Sequence, residues 1–198
     1  AAVHAATAHN DDDRARFPND EMFRALRVDP FLLYVAQHDA ELAPVLTALA
    51  DGLVSRRIAL VHGDVSPKNI LVSAEGPVFL DAECAWFGDP AFDLAFVLNH
   101  LLLKGVWRPA ARGRYLDAYA ALVDGYRRHV AWEPWPAMET RTAALLPGLL
   151  LARIDGKSPV EYLTDEPDRA SVRDFARARL SSPVSALGEI AHNWRLAG

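Results

Sequence analysis

The sequence predicts an α+β chain that is mostly helical, with one short β-hairpin. Three observations carry this. Apolar residues recur at helical spacing along most of the 198 residues. One pair of β-branched or aromatic runs, Ile70-Leu71-Val72 and Val78-Phe79-Leu80, flanks the turn cluster Ser73-Ala74-Glu75-Gly76-Pro77, which predicts a hairpin of two short, buried strands. Hydrophobic residues make up 51% of the chain, enough for one core.

The elements follow in order. Ala1 to Ala6 reads as the middle of a helix without a cap. Asn10 to Arg16 is a polar connector, and Phe17 to Arg27 is a short helix. Asp29-Pro30 caps another helix through about Gln37, and Leu42 to Val54 keeps helical spacing despite Pro44. Beyond the hairpin, Asp89 reads as an N-cap with Pro90 in the first helical position, opening a helix to Lys104. Helices are then expected over Ala110 to Val130, Pro136 to Ile154, Val172 to Leu180 and Val184 to Leu196. Ser158-Pro159-Val160-Glu161 has the form of a capping box, and Thr164 to Asp168 is a second connector. The chain therefore divides into a helical segment over 1–57, a loop and hairpin over 58–95, and a helical region over 96–198, without internal repeats.

Charge and composition narrow the function. A formal net charge of -5 with no basic stripe argues against nucleic acid. No apolar run is long enough to span a membrane and no secretory signal opens the chain, so a cytoplasmic domain is expected. Cys84 is the single cysteine, which excludes an intrachain disulfide, and it reads as a small buried hydrophobe.

The chemistry lies in two segments, VHGDVSPKNILV over 61–72 and FLDAECAWFGDPAFDLA over 79–95. Asp64 and Asn69 stand five apart, and Asp81 follows one hairpin later. A nucleotide's phosphates need hard cations, which take oxygen ligands from one or two carboxylates and from the phosphates themselves. Protein kinases use this spacing, with an Asp that receives the acceptor's hydroxyl, an Asn on the metal, and a second Asp on the metal beyond a hairpin.

His62-Gly63-Asp64 departs from the His-Arg-Asp of protein kinases. HGDVSPKN resembles the HGDxxxxN signature of the aminoglycoside phosphotransferase and choline kinase superfamily, and LDAECAWFGDPAFDLA resembles its second signature. The resemblance implies the C-terminal lobe of a protein-kinase-like fold, lacking the nucleotide-clasping N-terminal lobe. It implies transfer of the γ-phosphoryl of ATP or GTP, with Mg2+, to a hydroxyl of a small molecule such as an aminoglycoside, choline or methylthioribose. Asp64 is then the catalytic base, and Asn69 and Asp81 hold magnesium and nucleotide. Glu83 matches the Asp-x-Glu of choline and methylthioribose kinases, near the metals; a solvated loop acid is the alternative. Asp93, an acid in an apolar run, is similar to the residue that braces the catalytic loop. His62 is expected to shape that loop from the core, and Ser66, where protein kinases carry Lys, argues against a protein substrate.

The chain holds no Gly-x-Gly, and its three lysines, Lys68, Lys104 and Lys157, all follow the start of the catalytic motif. The Gly-rich cover and strand Lys of a kinase are therefore expected from a missing lobe, and the bared face is expected to favour self-association. The rival expectation is a non-catalytic, one-lobed binding or regulatory module. For a cationic substrate the candidates are Asp11, Asp12, Asp13, Glu133, Glu139, Asp165, Glu166 and Asp168, with Trp132 and Trp135 for stacking. Solvated loops and tryptophans packed under a turn are the competing reading. Arg153, Asp155 and Lys157 form a further polar cluster.

Overall fold

The computed structural model describes residues 1–196. It is mostly helical, with two small antiparallel sheets. Helix α1 (Ala2–Thr7) is followed by α2 (Asp11–Arg16), where a connector was expected. Asn10 Oδ1 accepts from the Asp12 and Asp13 amides, and three acids fill the first turn, where the helix dipole favours them. No residue of α2 is buried, so it lacks the apolar stripe that would reveal it.

Asp29-Pro30 does not start a new helix. Helix α3 (Asp20–Phe23) runs into a π-helical segment, Arg24–Leu33, and on into α4 (Tyr34–His38). The Tyr34 amide reaches back to the Asp29 carbonyl, and this wider winding accommodates Pro30, which has no N–H to offer. Helix α5 (Ala43–Ser55) follows.

Strand β1 (Ala59–Val61) comes next, then the hairpin strands β2 (Ile70–Ser73) and β3 (Gly76–Phe79), then β4 (Trp86–Gly88). β1 pairs with β4, Ala59 opposite Gly88, so the two motif segments leave one small buried sheet side by side. The hairpin registers Ile70 on Phe79 and Ser73 on Gly76. Its strands are short but not buried as expected: Leu71, Val78 and Phe79 are exposed, and Val72 is 91% exposed. An apolar run cannot say by itself whether anything covers it.

Helix α6 (Ala91–Trp107) begins one residue after Pro90 and is buried on nearly every face, as is α8 (Trp135–Asp155), against which it packs at the centre of the core. Between them lies α7 (Arg112–Arg127), preceded by a 3-10 turn. Phe23 stacks on Trp86 at 4.1 Å, joining the first helical segment to the small sheet. Ser158 to Glu161 forms no helix; instead Val160 donates its amide to the Arg153 carbonyl, folding this loop back on the end of α8. Helix α9 (Glu166–Ser181) starts earlier than expected, with Pro167 and two acids in its first turn, and α10 (Leu187–Leu196) closes the described chain. Among the described residues, no helix is long and apolar enough to cross a membrane.

Candidate active site

Beyond β1 the chain turns sharply at Gly63, whose φ of +81° suits glycine. A Cβ there would also lie 2.7 Å from the Cys84 carbonyl oxygen, so the close pass against buried Cys84 excludes a side chain. Asp93, in the first turn of α6, accepts from the amides of His62 at 2.8 Å and Gly63 at 2.9 Å. His4 of α1 approaches the same carboxylate at 3.1 Å, and its other ring nitrogen meets the Tyr126 hydroxyl at 2.7 Å. Burial would push the Asp93 carboxyl up, but the His4 hydrogen bond and charge and the two amides outweigh it and hold the group below its usual range. His62 is half-buried, not in the core, and its Nδ1 accepts from the Asp64 amide at 3.2 Å.

Asp64 is only 6% exposed. The Asn69 amide donates to Asp64 Oδ2 at 2.9 Å and to its carbonyl at 3.1 Å, across a 3-10 turn (Pro67–Asn69) that brings the pair together. Arg27 of the π-helical segment lies 3.3 Å from Oδ2 and donates to the Gly63 carbonyl at 2.5 Å; Lys68 lies 3.6 Å from Oδ2. Oδ1 of Asp64 accepts no hydrogen bond among the described residues. Arg27 escaped sequence reasoning because no motif spacing marks it; only tertiary packing brings it to the loop.

The hairpin carries the chain from Asn69 back to Asp81. The Leu80 amide bonds the Asn69 carbonyl at 2.9 Å, so Asp81 emerges just past Asn69. Asp81 has φ +64°, a left-handed backbone that costs a non-glycine residue energy and is concentrated at functional sites. Asp81 and Glu83 are exposed and, with Asp64, line one cleft of about 450 Å³. The donor set suits Mg2+: both Asn69 N–H contacts go to Asp64, which leaves its side-chain carbonyl available, and Asp81 adds a carboxylate. Among the described residues, no group of three His, Cys, Asp or Glu side chains could hold a metal unaided. Such a cation would need phosphate or water oxygens as well.

The other wall of the cleft comes from distant segments: Phe31 of the π-helical segment, Phe96, His100 and Lys104 of α6, Arg153 of α8, and Tyr162. The acids and tryptophans considered for a cationic substrate do not line it. Asp11, Asp12 and Asp13 open α2, Glu133 pairs with Arg141, and Glu139 accepts the Leu187 amide. Asp165, Glu166 and Asp168 lie at the start of α9, where Glu166 pairs with Arg173. Trp132 packs edge-on against His4 and Tyr126, and Trp135 lies beneath Arg127. Of the polar cluster at the end of α8, Arg153 reaches the cleft, whereas Asp155 pairs with Arg173.

The family model of the phosphotransferase enzyme family matches residues 1–132. Methylthioribose kinase of Geobacillus thermodenitrificans is 32% identical over 91 residues, which are 46% of this chain and 23% of that protein. Methylthioribose kinase of Klebsiella pneumoniae is 34% identical over 83 residues, 42% of this chain and 21% of that protein. Methylthioribose kinase 1 of Oryza sativa is 31% identical over 67 residues, 34% of this chain and 16% of that protein. The matched stretch thus spans less than a quarter of the length of each of these curated relatives, all of them small-molecule kinases by name. With the family model covering two-thirds of its residues, including the whole loop and hairpin, the chain belongs to the phosphotransferase enzyme family.

Proposed function

We propose that this chain forms the catalytic and acceptor side, the C-terminal lobe, of a small-molecule kinase that transfers the γ-phosphoryl group of ATP or GTP to a hydroxyl. The observation that carries this reading is Asp64: a buried carboxylate at the cleft, fixed through Oδ2 by Asn69, Arg27 and Lys68, with Oδ1 left for a substrate. Oδ1 would orient the acceptor hydroxyl and receive its proton as the oxygen–phosphorus bond forms and the bond to the nucleoside diphosphate breaks. The Asn69 carbonyl and Asp81, with Glu83 beside them, would hold Mg2+, which when bound neutralises the phosphates. Asp93, through the amides of His62 and Gly63, would keep the loop's backbone in place, and His62 would fix the Asp64 amide. The names of the relatives make a methylthioribose-like polyol one acceptor to try.

The test is Asp64→Asn in the full-length protein, with phosphoryl transfer followed from labelled nucleotide. Turnover should fall by about 10²–10⁴, with nucleotide affinity little changed, because the residue orients the acceptor and holds no metal. Near-normal turnover would refute the assignment.

A further inference from the structure

The cleft is lined by four side-chain cations, and they are not equivalent. Arg27 and Lys68 are compensated by Asp64. Lys104 and Arg153 have no carboxylate within ion-pair distance among the described residues. Lys104 Nζ lies 4.6 Å from the centre of the Tyr162 ring and 5.3 Å from that of Trp107. Arg153 is half-buried with its guanidinium over Phe31 at 5.5 Å; Nη1 donates to the Ser158 carbonyl, and Nε is buried without a partner. A guanidinium partly withdrawn from water with no carboxylate beside it carries an energetic cost that a bound anion would offset.

The surroundings agree. Burial and the charges of Arg153, Lys104 and Lys68 drive the His100 pKa down to about 3, so this wall presents a neutral imidazole together with Lys104 and Arg153. Burial also lowers the Arg153 pKa, more than Tyr162, Asp64 and Glu161 raise it. Glu161 is the acid on this side; it is exposed and makes no ion pair with Arg153. Asp81 and Glu83 belong to the segment after the hairpin.

We infer that the acceptor is an anionic alcohol, a hydroxy acid or a phosphorylated polyol, whose carboxylate or phosphate is held by Arg153 and Lys104 while its hydroxyl meets Asp64. The inference rests on the kinase reading for the hydroxyl's fate, but not for the anion's binding. Arg supplies a planar fork that matches either oxyanion, and Lys a point charge beside it. Phe96 and Tyr162 line the same cleft and offer apolar surface to the carbon skeleton. The donor's γ-phosphate is the other oxyanion that could reach these cations. The acceptor is favoured because Arg153 and Lys104 stand on α8 and α6, apart from the segment that carries Asn69 and Asp81.

Calorimetric titration of the 198-residue chain tests this with glycerate, glycerol 3-phosphate, glycerol, choline, and AMP-PNP with Mg2+ as probes. The two anionic alcohols should bind at least about tenfold more tightly than glycerol or choline, as expected for one charge-assisted contact. Arg153→Gln should erase that preference, Arg153→Lys should keep part of it, and Arg128→Gln, on an exposed helix end, should leave it intact. AMP-PNP affinity should not respond to Arg153→Gln. If Arg153→Gln melts early in a thermal scan, Lys104→Gln takes its place and should lower the preference. Equal or better binding of glycerol or choline, no binding of either anionic alcohol, or a preference surviving in the charge-removing variant would overturn the inference. So would a loss confined to AMP-PNP, which would put Arg153 on the donor. In the full-length protein, phosphoryl transfer to neutral alcohols without anion preference would sink this inference and spare the kinase reading; an Arg153-dependent anion preference in the chain, with no transfer by the full-length protein, would do the reverse.

Discussion

His62 to Asn69 and the hairpin from Ile70 to Leu80 are consecutive in the chain and packed in opposite ways. The loop is tied by Asp93 through two backbone amides, by Arg27 through Gly63 and Asp64, and by Asn69 across its own turn. The hairpin has its ladder and little else, with most of its apolar side chains in water. Preorganised charge is worth most where the surroundings hold it rigidly. The carboxylate proposed to orient the acceptor therefore sits on the rigid part, whereas Asp81 and Glu83, proposed to hold the metal, follow the loosely packed part.

The largest expected effect is the loss of turnover in Asp64→Asn described above. It sharpens the comparison if nucleotide affinity, which the proposal assigns to the hairpin side, survives.

Next is Asp93→Ala, which would leave the amides of His62 and Gly63 and the ring of His4 without their common acceptor. Removing one partner of such a buried network should cost about 3–5 kcal/mol, read as a fall in the denaturation midpoint at unchanged slope. A cost near zero would mean that the loop does not depend on this brace.

Acid should act on the same side of the molecule. His100 has a folded pKa of about 3, below the ordinary 6.5, so the unfolded chain takes up the proton first as pH falls. Stability is therefore complete above about pH 6.5 and is lost on the way down towards pH 3. The lowered Asp93 adds a loss of the same sign, which begins as pH falls into the usual carboxylate range and continues below it. Unfolding free energies from denaturant titrations at pH 7.5 and 4.5 should differ by about 1–3 kcal/mol, and His100→Gln should flatten that slope. A wild-type midpoint independent of pH would contradict the burial of a neutral imidazole.

The smallest effect is expected in the hairpin. Val72→Ser should change stability by no more than about 0.5 kcal/mol, because the side chain buries almost nothing in this chain. A large cost in the same denaturation assay would show that the strand is covered in solution and would break the contrast with the loop.

How far the sequence reached differs between these regions for a physical reason. Asp64, Asn69 and Asp81 were legible because their relation is local: a five-residue turn and a hairpin bring them together whatever surrounds them. Long periodic helices such as α6 and α8 were legible because an apolar stripe needs a partner. Helix α2 was not, since its stability lies in an Asn cap and first-turn acids without a buried face. The π-helical segment was misread because Asp29-Pro30 looks like a start locally, while packing on both sides keeps the helix continuous.

By itself the sequence determined the motif spacing, the helical class and the family, because each depends on residue identity at short spacing. Only the tertiary structure decided that the hairpin is bare, that Arg27 and His4 support the loop, and that the far wall of the cleft holds Lys104 and Arg153 instead of the acids first considered. Those facts bring together residues far apart in the chain, such as His4 with Tyr126 in one hydrogen bond or Arg27 and Arg153 in one cleft, and no local spacing encodes such a meeting. It follows from which faces of the helices are buried together.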